Sequence, residues 1–170
     1  KANSAYVATA TDTITTIQDQ TSASFYRIDR TTTRVDSAVL NEGLALGYNQ
    51  LSSYSSANNP QAIALLNSLG YSSVGEFSTR YAEPILAVDA LLGVKYAIAE
   101  HAPSGYAAMT EIADTASAVY ENPYALSVGV MTSNDIQNCT LKGENPFEKQ
   151  NDLYSKILGR EVMLYTKIEA

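Results

Sequence analysis

Three features predict an α+β fold, a two-layer sandwich with a mixed or mainly antiparallel sheet and helices packed on it. Helical patterns opened by a residue-Pro pair and closed by glycine recur along the chain. Short alternating strand patterns separate them, and several of these follow one another late in the sequence, where they predict an antiparallel meander. No internal repeat is present, and 170 residues suit one domain able to bury about two-thirds of its unfolded surface.

In order along the chain, Asp12 to Gln20 carries Ile14 and Ile17 on one helical face, so residues 1–23 are read as a peripheral N-terminal helix. Ser24 to Arg30 alternates aromatic or apolar with polar residues, as a strand does, with Phe25 out of phase so that both faces are partly covered. Val39 to Leu51 carries Gly43 and Gly47 among leucines and predicts turns rather than a long helix. Gly47 to Ser56 is a polar and aromatic loop with strand character.

Three helices have clear punctuation. Asn59-Pro60 offers an N-cap and a proline at the first helical position, Gly70 a stop, and Ile63, Leu65, Leu66 and Leu69 an apolar stripe. Glu83-Pro84 opens a second helix through Leu92, with Gly93 after it. Asn145-Pro146 opens a third, with Glu148 at the capping-box position and Gly159 at its end. Val94 to Ile98, Tyr106 to Ile112, Ser117 to Tyr120 and Ala125 to Met131 read as strands, with a turn at Glu121-Asn122-Pro123. Residues 159–170 are either a last strand or the lead-in to a membrane helix.

The formal net charge of −7 and the absence of a Lys/Arg cluster argue against nucleic acid and against anionic lipid. A polyanionic acceptor would meet the same repulsion. With Cys139 as the one cysteine, neither an intrachain disulfide nor a multi-cysteine metal site can form. No apolar stretch approaches the roughly 20 residues that span a bilayer, and the chain begins without a signal-peptide pattern, so it reads as an excised portion of something longer.

Catalytic signatures are missing. His101 is the one histidine, and it precedes Ala102-Pro103 without any Gly-x-Ser-x-Gly elbow, so a surface position is expected. Asp29, Asp36 and Glu42 beside Arg27, Arg30 and Arg34 allow a charged network, for which solvated surface charge is the expectation. No Gly-rich phosphate loop is present. We therefore expect no catalytic residue, no cofactor and no metal.

Tyrosine is conspicuous, with 12 copies against three Phe and no Trp. Such rings are either half-buried sheet residues with satisfied hydroxyls or platforms for sugar C–H groups. The second reading centres on Tyr48, Asn49, Gln50, Ser52, Tyr54 and Ser55, whose flat rings and neutral hydrogen-bonding groups suit a saccharide groove.

Four ordered segments carry a family resemblance: Phe25-Tyr26-Arg27-Ile28; Gly47-Tyr48 through Ser56 with the helix ending Leu69-Gly70; Leu91-Leu92-Gly93-Val94-Lys95-Tyr96-Ala97-Ile98; and Tyr120-Glu121-Asn122-Pro123-Tyr124-Ala125-Leu126 followed by Asn145 to Asn151. Together they resemble the extracytoplasmic portion of the YfhO family, multi-spanning bacterial membrane proteins regarded as GT-C-type glycosyltransferases. The resemblance implies a parent enzyme on the extracytoplasmic face of a Gram-positive cell membrane that takes a sugar from a polyprenyl-phosphate donor and places it on a (lipo)teichoic acid. The domain itself would be non-catalytic, with the membrane portion of its own chain and a cell-envelope glycan as partners. Two alternatives stand beside it, an independent carbohydrate-binding module and a structural protein-interaction domain. Where proteins of this kind often continue from the Asn-Pro motif to Leu-Pro, this chain has Leu126-Ser127, a change at a strand edge.

Overall fold

The computed structural model describes residues 2–31, 40–113, 117–138 and 140–168. Five helices and seven strands alternate along them: α1 (Ala2–Gln20), β1 (Arg27–Arg30), α2 (Glu42–Leu46), β2 (Ser53–Tyr54), α3 (Pro60–Ser68), β3 (Ser72–Val74), β4 (Ser78–Arg80), α4 (Leu86–Leu91), β5 (Val94–Ala99), β6 (Ala107–Ala113), β7 (Ala118–Glu121) and α5 (Pro146–Leu158). A 3-10 turn over Asn134–Asn138 precedes α5. The predicted α+β sandwich is what forms.

Four strands make a mixed sheet in the order β1-β5-β7-β6, with β1 parallel to β5 and the other pairs antiparallel. A parallel pair cannot be closed by a tight turn, and the crossover from β1 to β5 holds α2, α3, α4 and a second sheet. That smaller sheet is antiparallel, in the order β2-β4-β3. Its β3–β4 hairpin went unpredicted, although Gly75-Glu76 between Ser-rich flanks is a turn signal.

Strand β5 carries the core. Its Tyr96 and Ile98 pack with Ile14 and Ile17 of α1, while Ala97 packs with Val88 of α4 and with Leu153 and Ile157 of α5. Alternation along a strand sends these two groups to opposite faces, so helices cover both. Helix α1 is ten residues longer than its sequence pattern, and with Ile17 fully buried it belongs to the core rather than the periphery. Thr9, Thr11, Thr13 and Thr16 each turn their hydroxyl back to the carbonyl four residues earlier, so these hydroxyls are satisfied within the helix itself.

Two of the three predicted proline starts hold. Asn59 accepts from the Gln61 and Ala62 N–H groups, and Asn145 from Glu148 N–H, with Pro60 and Pro146 next in line. The Glu148 carboxylate accepts from Glu144 N–H at 2.8 Å, one residue before the expected capping-box partner. Pro84 stands outside its helix. Ile85 is extended and its N–H binds Asp89 Oδ2 at 2.8 Å, so α4 starts only at Leu86.

Three strand predictions need correction. The late strands do not form a meander in sequence order, because β7 inserts between β5 and β6 and takes both of its partners there. Ala125 to Met131 joins neither sheet: Asn122-Pro123 turns the chain away, Leu126 N–H goes to Ala90 C=O at 2.9 Å, and the rest is irregular and mostly exposed. Of the two readings for residues 159–170, the last strand does not form, since Val162 to Ile168 pairs with no strand among the described residues. Asn151 of α5 binds the backbone of Leu164 and Tyr165, and Ser155 binds Val162, so the segment is strapped to that helix. Cys139, Arg34, Asp36 and Val39 lie outside the described residues.

A buried tyrosine cleft wall and its neighbours

The loop from Tyr48 to Ser55 is held from below by a carboxylate. Asp29, in β1, is fully buried and accepts four hydrogen bonds: from Leu51 N–H (2.8 Å), Ser52 N–H (2.9 Å), the Ser52 hydroxyl (2.7 Å) and Arg30 N–H (3.0 Å). Burial pushes its pKa up, and the bonds from Ser52, Arg30 and Leu51 oppose that rise. Next to it Arg30 and Glu42 form a buried ion pair, Nε to Oε1 at 3.4 Å, and Glu42 also accepts from the hydroxyls of Tyr6 (2.6 Å) and Tyr48 (2.9 Å). Burial, and then the Glu42 charge, raise the Tyr48 pKa, so this hydroxyl stays protonated and donates.

These charges are therefore interior, not the solvated surface charge that the sequence suggests. Ion pairs are rare inside proteins because desolvation costs each partner several kcal/mol, on the order of what the pairing returns. Here α1, β1 and α2 each deliver one member of the set, so the network fixes how those elements meet.

Above this floor lies an open cleft of about 450 Å³, lined by Phe25, Arg27, Asn41, Leu44, Tyr48, Asn49, Gln50, Ser52, Ser53, Tyr54 and Ser55. All six residues singled out in the sequence border it, yet they differ in what they offer. Ser52 is fully buried and its hydroxyl serves Asp29. Gln50 binds Gly43 N–H and Ser52 C=O, and the Tyr48 hydroxyl turns inward to Glu42. These three are framework. Tyr54, 56% exposed on β2, presents its ring; exposed Asn49 donates to Tyr26 C=O at 3.3 Å and half-buried Ser55 accepts from Ala57 N–H at 3.1 Å, so each keeps only part of its hydrogen-bonding capacity for a ligand.

Four wall residues, Phe25, Arg27, Asn41 and Leu44, escaped sequence reasoning. Asn41 has φ 72°, a left-handed backbone that asparagine tolerates better than most residues, and its side-chain amide pairs with both backbone groups of Tyr54, donating to C=O at 2.9 Å and accepting from N–H at 3.0 Å. It extends the small sheet's edge as a strand would. Arg27 donates to Leu92 C=O and lies 4.9 Å from the Phe25 ring centre, and it is the one charged residue among those lining the cleft. Leu44 is exposed at the rim.

A second buried carboxylate organises other tyrosines. Asp89 Oδ2 accepts from Tyr81 (2.8 Å), Tyr106 (2.5 Å) and Ile85 N–H, and Oδ1 accepts from Tyr71. Burial raises its pKa to about 6 despite those four donors. Every oxygen is satisfied, which makes this a structural knot between β4, α4 and the strand ends. Most tyrosines thus prove to be the half-buried, satisfied kind: Tyr96 meets Thr21 Oγ1 at 2.7 Å and Tyr154 donates to Ala87 C=O at 2.6 Å.

His101 is exposed, in a separate cleft of about 460 Å³ with Glu83, Glu100 and Ser104, and it makes no hydrogen bond among the described residues. Among those residues no group of three or more His, Cys, Asp or Glu side chains is placed to hold a metal, and no helix is long and apolar enough to cross a membrane. A family model described as bacterial membrane protein YfhO matches residues 1–170. The chain belongs to the YfhO family. No curated protein and no solved structure matches it. The segments that mark this YfhO chain are largely framework: Leu91 to Ile98 is the end of α4, a left-handed Gly93 and the core strand β5, and Asn122, fully buried, donates its N–H to Lys95 C=O at 2.7 Å.

Proposed function

We propose that this chain is the extracytoplasmic domain of a polytopic YfhO-type membrane protein that glycosylates cell-envelope polymers such as (lipo)teichoic acid from a polyprenyl-phosphate-sugar donor. The domain does no chemistry itself and helps to position the acceptor glycan, packed against the membrane portion of its own chain. The observation that carries the positioning role is the cleft beside Tyr54. An exposed ring with Asn49 and Ser55 at its sides offers the apolar face and the neutral donors and acceptors that sugar hydroxyls need, on a rigid floor. Arg27 supplies the one charge there and is held by Leu92 C=O, so sugar rather than phosphate is the group this surface suits.

The test uses the full-length membrane protein in cells, carrying Tyr54→Ala with Asn49→Ala. Sugar incorporated into teichoic acid should fall at least about fivefold at unchanged protein level, in line with the 1–3 kcal/mol a sugar-contacting ring and amide supply. Unchanged incorporation removes the cleft from the reading. Saturable binding of neutral oligosaccharide by the domain, with no effect of the variants on cellular glycosylation, favours the independent carbohydrate-binding module.

A further inference from the structure

The segment that failed to become a strand has an unusual surface. From Asn122 to Asn134 it contains no charged residue, and within it Tyr124 (63% exposed), Leu126, Val128 (74%), Val130 and Met131 (97%) all face solvent. Single exposed apolar side chains are ordinary; five within eight residues form a patch that soluble proteins avoid. Its backbone is anchored at both ends, by Leu126 N–H to Ala90 C=O and by Ser133, whose N–H and hydroxyl bind Ile157 and Lys156 C=O at 2.8 and 2.7 Å. The same anchor sets it beside the end of α5, where Leu158 and Met163 are also exposed.

We infer that the loop from Tyr124 to Met131 seats in the neutral interfacial layer of a lipid bilayer, tethering the domain to the membrane surface. The inference rests on the membrane-protein family given above, and three observations direct it to lipid. A bilayer interface accepts irregular backbone, whose free N–H and C=O groups still find water and headgroups there; the hydrocarbon centre does not, so the seating is shallow. Tyr124 is an amphipathic ring of the kind that concentrates at that level. The charge balance then selects the headgroup: a loop without cations on a chain of net charge −7 gains nothing from anionic lipid and suits zwitterionic lipid.

Sedimentation of the 170-residue chain with phosphatidylcholine vesicles tests this. Binding is expected, with the partition coefficient reduced at least tenfold by Val128→Glu with Met131→Glu and unchanged by Val74→Glu, an exposed valine of β3 outside the loop. Both glutamates replace exposed side chains, and circular dichroism reports that the fold persists. No binding to these vesicles, or binding that needs phosphatidylglycerol and ignores the loop variants, overturns the inference. So does a Val128→Cys chain that ignores vesicles yet crosslinks to a polypeptide in cells, the result a protein partner would give. Because glycosylation is read on Tyr54 and Asn49, failure here leaves the positioning role standing.

Discussion

The Ser52 hydroxyl lies 2.7 Å from Asp29 Oδ1 and accepts from Tyr81 N–H at 3.2 Å, so one side chain joins β1, the cleft loop and the end of β4. Removing it should loosen all three. Ser52→Ala strands a buried carboxylate lone pair and a buried N–H, and a hydrogen bond to a charged group is worth about 1.5–3 kcal/mol. An unfolding free energy lowered by that amount, read as a lower urea midpoint at unchanged m-value, is the expected result.

Arg30 and Glu42 predict a different pattern. Glu42→Gln keeps an acceptor oxygen for only one of Tyr6 and Tyr48 and removes the carboxylate charge that faces the buried Arg30 guanidinium. Breaking a buried pair this way costs about 3–5 kcal/mol. Arg30→Met should be similarly harmful alone, and the double variant should lose less than the sum, which a double-mutant cycle in guanidinium would measure.

Asp89 makes stability depend on pH. Its folded-state pKa of about 6 lies above the ordinary carboxylate value, so the folded state binds the proton more tightly than the unfolded chain. The contribution is full below about pH 4 and is lost as pH rises through about 6; at about 1.4 kcal/mol per pH unit it withdraws on the order of 3 kcal/mol. Asp29 acts in the same direction, and Asp152, whose half-buried carboxylate is held low by Lys156 and Lys142 N–H against the pull of burial, in the opposite one. Urea titrations should show stability falling from about pH 4 to pH 7, and Asp89→Asn should flatten that fall.

Gly93 closes α4 at φ 69°, and a Cβ there would sit 3.0 Å from Leu126 C=O. Gly93→Ala should therefore cost about 1–2 kcal/mol from the left-handed backbone alone. It should also shift the start of the Tyr124 to Met131 loop, visible as faster amide exchange at Leu126, whose N–H binds Ala90.

Local chemistry was enough for the parts of the fold that depend on neighbours in sequence. Asn59-Pro60, Asn145-Pro146 and Gly159 mark helix ends because capping is settled within four residues. Alternation marked β5 because a strand's faces follow from its own residues. The six loop residues came out together for the same reason: they are nearly contiguous, so any cleft at that loop includes them.

Tertiary structure alone decided which of those six still face solvent. Ser52 and Tyr48 look like Tyr54 and Ser55 in sequence, and only the arrival of Asp29 from β1 and Glu42 from α2 turns their hydroxyls inward. It also decided that Asp29, Arg30 and Glu42 are interior, since a charged residue's burial depends on a partner that may lie far along the chain. Ala125 to Met131 shows the same limit from the other side. Its alternation is strand-like, but it joins neither sheet: the turn at Asn122-Pro123 and the bond from Leu126 N–H to Ala90 C=O carry it away from the edge strands β1 and β6. The sequence by itself determined the family, the helix ends and the core strand; long-range pairing, which no local pattern encodes, determined which polar groups are structure and which surface remains free to bind.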